Sequence, residues 1–336
     1  MRYSKVQLRS FGYELAPNVV TSAELEERLS PVYAKLGLPA GQLEALTGIR
    51  ERRWWDPGYK LSDGAIAAAR KALDGAGLSP KDLGCVIYAG VCRENSEPAT
   101  ACAVAHGLGV GDDAAVFDLS NACLGVLNGI LDVANRIELG QIRAGLVVSC
   151  ESAREINDSM IESMKRDPSM DHLRLSLATL TGGSGAIACL LTSLGGDGRR
   201  KLLGASYKAA PEHHELCRWN RDFMMTDAAA VLKHGVALGK KTYESLLGKL
   251  GWTNSSVDRV ICHQVGGAHR SSILGTLGID EAKDYSTYEF LGNIGTVSLP
   301  LTAALAEERE FIAPGDSVAF LGIGSGLNCM MLGWQW

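Results

Sequence analysis

Residues 116–129 read VFDLSNACLGVLNG. An apolar run of strand length leads into the small-residue turn Asn121-Ala122-Cys123, and apolar residues then recur at helical spacing. The stretch is a strand, a tight turn and a helix, with a thiol where the helix starts. Free amide N–H groups and the positive end of the peptide dipoles favour thiolate there and offer donors to an oxyanion. Cys123 is therefore a candidate nucleophile with a lowered pKa. From this segment alone a space-filling buried thiol beside Ala122 and Gly125 competes with that reading, because cysteine is among the most buried residue types.

Working outward, the same grammar recurs. Ser62 caps a helix running to Ala76, Gly77 and Pro80 end it, and residues 83–89 (LGCVIYA) have strand length. Residues 226–250 read as a long helix, followed by Gly251, a polar turn and the buried strand DRVIC at 258–262. The helical stretch 124–139 leads through Gly140 into AGLVVS at 144–149, and 296–311 leads through Pro314-Gly315 into SVAFL at 317–321. Each half thus repeats helix–turn–strand twice. This predicts an α/β protein of two duplicated lobes, 1–192 and 193–336, related by a pseudo-twofold and joined near the polar, Gly-rich SLGGDGRRK at 193–201. Residues 151–180 fall outside the repeat and read as a helical insertion whose Met160, Ile161, Met164 and Leu173 suit an amphipathic cover over a binding tunnel.

The 336 residues carry 33 Lys+Arg against 38 Asp+Glu, a net charge of −5, and are 46% hydrophobic. That is a soluble, globular composition, and without a basic run it argues against nucleic acid or an anionic membrane as the main partner. No apolar run approaches the ~20 residues that span a bilayer, and the N-terminus lacks a signal-type apolar stretch, so a cytoplasmic protein is expected. Nine cysteines without a CxxC support neither a disulfide framework nor a zinc site, and Cys85, Cys150, Cys189 and Cys262 lie in apolar runs.

In the second half His263 follows the strand DRVIC directly, in ICHQVGGAH, and Asn293 sits in FLGNIGTVS just before the helix that corresponds to the one after Cys123. If a twofold relates the lobes, Cys123, His263 and Asn293 meet. Histidine moves a proton near neutral pH and asparagine only hydrogen-bonds, so the trio suits thiol acylation followed by carbonyl polarisation. Taken singly, His263 also reads as a structural histidine and Asn293 as a turn residue. The glycines of LGIGSGLN at 321–328 either bring bare backbone to a thioester carbonyl or form a plain tight turn.

DLSNACLG, HQVGGAH, LGNIGTVS and GIGSGLN, in this order, together with TGIRERR at 47–53 and LTGGSGAIACLL at 180–191, resemble the thiolase superfamily, specifically its ketoacyl synthase III branch, over nearly the whole chain. The resemblance implies a five-layered αβαβα fold and an obligate homodimer. It implies Cys123 as the acyl-accepting nucleophile, and His263 with Asn293 as the pair that stabilises an enolate oxygen. The Cys123 amide, with backbone at Gly324 and Ser325, would hold the thioester oxyanion. Coenzyme A arrives as part of the substrate, and no resident cofactor or metal is implied.

The usual His-Gln-Ala-Asn is here His263-Gln264-Val265-Gly266. SEPATA at 96–101, LCRWNRDFMMTD at 216–227 and GIGSGLNC at 322–329 resemble instead the OleA-type enzymes of olefin biosynthesis, which join two fatty acyl-coenzyme A molecules without decarboxylation. That chemistry needs a base for an α-proton. Glu97, 26 residues before Cys123, matches the OleA-type base, which acts in the partner's site. Without the resemblance, Glu97 and Pro98 read as a helix start. The competing function is a decarboxylating 3-oxoacyl-ACP synthase III fed by malonyl-ACP, which keeps Cys123, His263 and Asn293 and makes Glu97 dispensable.

Overall fold

The computed structural model describes residues 1–195, 198–220 and 223–336. Gly196 and Asp197 of the expected lobe junction, and Arg221 and Asp222 of LCRWNRDFMMTD, lie outside the described residues.

Nine strands form the main sheet, in the spatial order Arg259–Cys262, Ser317–Gly324, Asn328–Gln335, Lys201–Ala209, Val6–Leu15, Gly185–Ser193, Ala144–Glu151, Cys85–Ala89 and Ala115–Leu119. The two innermost strands touch through one register pair, Gln7 with Lys201. Outward from Val6–Leu15 the pairings run antiparallel, antiparallel, parallel, parallel. Outward from Lys201–Ala209 they run antiparallel, antiparallel, parallel, and a parallel bridge from Val260 to Asp284 stands where the fifth strand would be.

The strands between two helical layers are apolar on both faces, as parallel sheets require. Cys85, Ile87 and Ala89 face a central cluster, while Val86 and Tyr88 face an outer one, following the period of two. Val318 and Phe320 face the same central cluster, and Ala319 and Leu321 face a third. Helices Gly125–Glu138 and Ser298–Glu308 fill the central cluster, Leu61–Ala76 covers one outer face, and Ala228–Leu250 with Gly267–Leu277 covers the other. Gly12 is required where strand Val6–Leu15 crosses Leu61–Ala76, since a Cβ there would stand 2.1 Å from the Ala68 carbonyl oxygen.

Boundaries move by a few residues from the sequence reading, and one cap is corrected. Ser62 lies inside helix Leu61–Ala76, with Lys60 at the cap and no side chain capping it. The Glu94 carboxylate takes that place, accepting the Ser62 amide and hydroxyl at 2.7 Å each, a negative group at the positive helix end. The long helix begins at Ala228, with the Asp227 side chain accepting from the Ala230 amide. Residues 151–180 form helices Arg154–Arg166 and Met170–Ser176, which bury Met160, Ile161, Met164 and Leu173 against Leu25, Leu29 and Trp54. All nine cysteines are free. Among the described residues, no helix is long and apolar enough to cross a membrane.

Candidate active site

Cys123, His263, Asn293, Gly324 and Ser325 line one cavity of about 600 Å³. Ala153, Ile156 and Leu177 of the covering insertion and Trp219 and Met224 of the following segment form much of its apolar wall. The three candidates are thus brought to one place from sequence positions up to 170 apart (293 − 123 = 170).

The turn before the helix is a sharp elbow. Ala122 has φ +46°, one of three non-glycine residues with positive φ among those described, and this conformation, disfavoured for a residue with a Cβ, lifts the next side chain out of the strand line. Asn121 holds the elbow from both sides, donating to Asn128 Oδ1 at 2.8 Å and accepting from Asn328 Nδ2 at 3.3 Å. A Cβ on Gly324 would lie 3.4 Å from the Cys123 amide nitrogen, so bare backbone passes beside that donor.

The helix after the elbow is tied to the second half of the chain. The Val126 amide, one of the N–H groups with no partner inside the helix, donates to Thr296 Oγ1 at 2.7 Å. Thr296 is buried. Thr296→Val therefore leaves a buried amide unpaired and is expected to cost about 1–3 kcal/mol of stability, measured by urea unfolding, and to slow acylation of Cys123.

Asn293 is gripped through its backbone, donating its amide to Thr181 O and accepting from the Gly183 amide, each at 2.9 Å. Its side-chain Oδ1 accepts the Gly295 amide at 3.0 Å. With the oxygen engaged, the amide group offers its Nδ2 donors to other partners. Gly292, at φ +67°, admits this approach, because a Cβ would stand 2.5 Å from Thr181 O.

The thiol does not have the expected low pKa. Burial in the apolar cavity pushes Cys123 up to about 12, with Cys217 and Glu151 adding to the shift. A helix terminus supplies only about 0.3–1 kcal/mol toward thiolate, and desolvation, the largest cause acting on Cys123, outweighs it. His263 is 5% exposed, and burial, with His269 adding, brings its pKa down to about 3. The resting pair is a neutral thiol and a neutral imidazole, so the imidazole can take the proton as the sulfur reacts.

Three lining residues were not assigned from sequence. His269 lies in the cavity wall with its pKa lowered to about 4 by burial; it is the second histidine of HQVGGAH, and only its facing the same space as His263 marks it. Cys217 lines the cavity and exchanges a hydrogen bond with Thr226 Oγ1 at 3.2 Å. Glu151 is a buried carboxylate at the end of strand Ala144–Glu151. Glu97, in contrast, is exposed on its own chain and is absent from that chain's cavity wall.

Residues 60–180 match the thiolase N-terminal domain and residues 247–336 match the C-terminal domain of 3-oxoacyl-[acyl-carrier-protein] synthase III. Over 349 aligned residues, covering 100% of both chains, the protein is 57% identical to an acyl-CoA:acyl-CoA alkyltransferase of Shewanella oneidensis. The chain belongs to this family.

A second alkyltransferase of the family, from Xanthomonas campestris, is 37% identical over 339 residues and the full length of both chains. A crystal structure of cerulenin-bound OleA from that genus superposes with a TM-score of 0.97 at 37% identity, covering 100% of this chain and 98% of the other. A cysteine-to-serine variant of Xanthomonas campestris OleA with bound lauric acid and lauroyl-CoA gives 0.96 at 36%, covering 99% and 100%. The fold is accordingly mixed α/β and thiolase-like. The β-ketoacyl-[acyl-carrier-protein] synthase III of Rhodospirillum rubrum stands further off, at 30% identity over 330 residues, 94% of this chain and 95% of its own.

Proposed function

We propose that this alkyltransferase-family chain carries out the non-decarboxylative Claisen condensation of two fatty acyl-CoA thioesters through an acyl-Cys123 intermediate. The observation that carries this reading is the meeting of Cys123, His263 and Asn293 in one largely apolar cavity, supported by family relatives named acyl-CoA:acyl-CoA alkyltransferases and by one structure of the family that holds lauroyl-CoA.

The Cys123 sulfur attacks the first thioester carbonyl, its proton passes to the neutral His263 imidazole, and coenzyme A leaves with a proton. The Cys123 amide and the backbone at Gly324 and Ser325 receive the oxyanion. A second acyl-CoA then loses its α-proton to the Glu97 carboxylate, and His263 and the Nδ2 of Asn293 stabilise the enolate oxygen. The enolate carbon attacks the acyl-Cys123 carbonyl, the C–S bond breaks, and the sulfur regains its proton. The product is a β-ketoacyl-CoA bearing both chains.

In this reading the protein works as a cytoplasmic homodimer in which Glu97 serves the partner's cavity, in keeping with its exposure on its own chain. Two duplicated lobes, 1–192 and 193–336, in a five-layered αβαβα arrangement account for the repeated pairing order of the strands and for the three helical clusters.

Incubation of the purified protein with one long-chain acyl-CoA, and no malonyl compound, is the direct test. Mass spectrometry is expected to find free coenzyme A and a β-keto product carrying two chains. Condensation only after addition of a malonyl thioester, with carbon dioxide released, would establish the decarboxylating synthase instead. Glu97→Gln separates the two chemistries further: acyl-Cys123 is expected to accumulate without condensation.

A further inference from the structure

Glu151 is a buried titratable group that the steps above do not use. Its side chain lines the Cys123 cavity and is fixed there, with Oε1 accepting the Val91 amide at 2.9 Å and Oε2 the Cys92 amide at 3.0 Å. Two glycines make room for it. A Cβ on Gly90 would come within 3.4 Å of Oε1 and one on Gly295 within 3.5 Å. The Trp55 indole N–H donates to the Glu151 carbonyl at 3.1 Å, which anchors its backbone.

The amides that Glu151 holds begin the segment that carries Glu97. Further along, Glu94 is docked on the amide and hydroxyl of Ser62, at 2.7 Å each. Beyond Glu97, the Asp118 carboxylate accepts the Thr100 and Ala101 amides at 2.9 and 2.8 Å. The segment is tied down on both sides of Glu97, while Glu97 itself projects into solvent on its own chain. A tethered, exposed carboxylate is preorganised for a target outside its own subunit.

We propose that Glu151 is a positioning residue for condensation: it pins the Glu97-bearing segment to the wall of its own cavity, so that Glu97 is offered in fixed geometry to the partner's cavity. The inference rests on the reading of Glu97 as the base. Displacement of a reacting group by about 1 Å costs on the order of 10²-fold in rate, so a slack tether weakens proton abstraction, whereas loss of the Glu151 charge, which helps hold the Cys123 pKa up, does not slow acylation of the thiol.

The test measures both half-reactions in Glu151→Gln, whose amide group sets an N–H donor against one of the two backbone donors. With a single long-chain acyl-CoA, the burst of free coenzyme A that reports acylation is expected to be no slower than in the parent, because the variant also removes a charge that raises the Cys123 pKa, and formation of the two-chain product to fall about 10- to 100-fold. Ser62→Ala loosens the other tether and is expected to give the same split, smaller in size; it decides the matter if Glu151→Gln does not fold. Equal slowing of both half-reactions in these variants, or condensation at the parent rate in both while Glu97→Gln is blocked, overturns the positioning role. Condensation at the parent rate in Glu97→Gln overturns the base assignment itself, and is read independently of Glu151.

Discussion

Cys123→Ser is expected to lower turnover by about 10⁴-fold or more, the scale on which removal of a nucleophile that works in concert with a base is felt, while the melting temperature stays close to that of the parent. The oxygen of serine occupies nearly the same space beside Ala122 and Gly324, so packing is preserved. The chemistry is not, because a hydroxyl in this apolar wall is far harder to deprotonate than a thiol already pushed up to about 12. The measurement is release of free coenzyme A on mixing with acyl-CoA, together with the intact mass of the protein. Persistent acylation of the protein at the parent rate would remove Cys123 from the mechanism.

The raised thiol pKa also sets the pH behaviour of alkylation by iodoacetamide. Thiolate is a small fraction at neutrality, and the rate at Cys123 should climb about tenfold per pH unit from 7 to 10, with no levelling near the ~8.5 of a free thiol.

Acid should destabilise this fold through its two cavity histidines. His263 titrates at about 3 and His269 at about 4 in the folded chain, both held down chiefly by burial, against 6.5 when unfolded. Below pH 6.5 the unfolded chain therefore binds protons that the folded chain refuses, and stability declines as pH falls from 6.5 toward 4. At one pKa unit per about 1.4 kcal/mol, each histidine costs about 2 kcal/mol at pH 5. Glu151 and Asp284 act in the opposite sense, since burial raises both and the folded state takes up their protons first. Glu24 and Glu138, whose pKa values are lowered in the folded chain, act in the same sense as the histidines, so the two histidines supply about 4 kcal/mol of a net loss to which these other groups also contribute. Urea unfolding at pH 7.5 and 5.0 measures it. His269→Gln should lose less stability between these two values than the parent, and an unchanged difference would show that His269 titrates as an ordinary histidine.

Much of the site was legible because the relevant patterns are local. The elbow at Asn121-Ala122-Cys123 needs only a strand, a small-residue turn and a helix in succession, and His263 directly follows strand Arg259–Cys262 while Asn293 precedes helix Ser298–Glu308. Other features were not legible in this way. The cap of helix Leu61–Ala76 is misread because Ser62 is a good capping residue by type, while the carboxylate that closes that helix end belongs to Glu94, thirty-two residues away in the chain (94 − 62 = 32). Met224 faces the cavity whereas Met160 and Met164 of the covering insertion are core, a distinction that helical spacing does not make.

By itself, then, the amino-acid sequence determined the alternation of helices and strands around the site, the elbow at Cys123 and the family of the chain, because periodicity, turn chemistry and motif spacing act between neighbours, while the central strands Val6–Leu15, Gly185–Ser193 and Lys201–Ala209 emerged only in the structure. Only the tertiary structure decided that the thiol is raised rather than lowered, that His263 rests neutral, and that Glu151 grips the segment carrying Glu97. Those outcomes depend on desolvation and on hydrogen bonds between segments far apart in the chain. The energy of a buried charge is set by every group that excludes water from it, and most of those groups are not its neighbours in sequence.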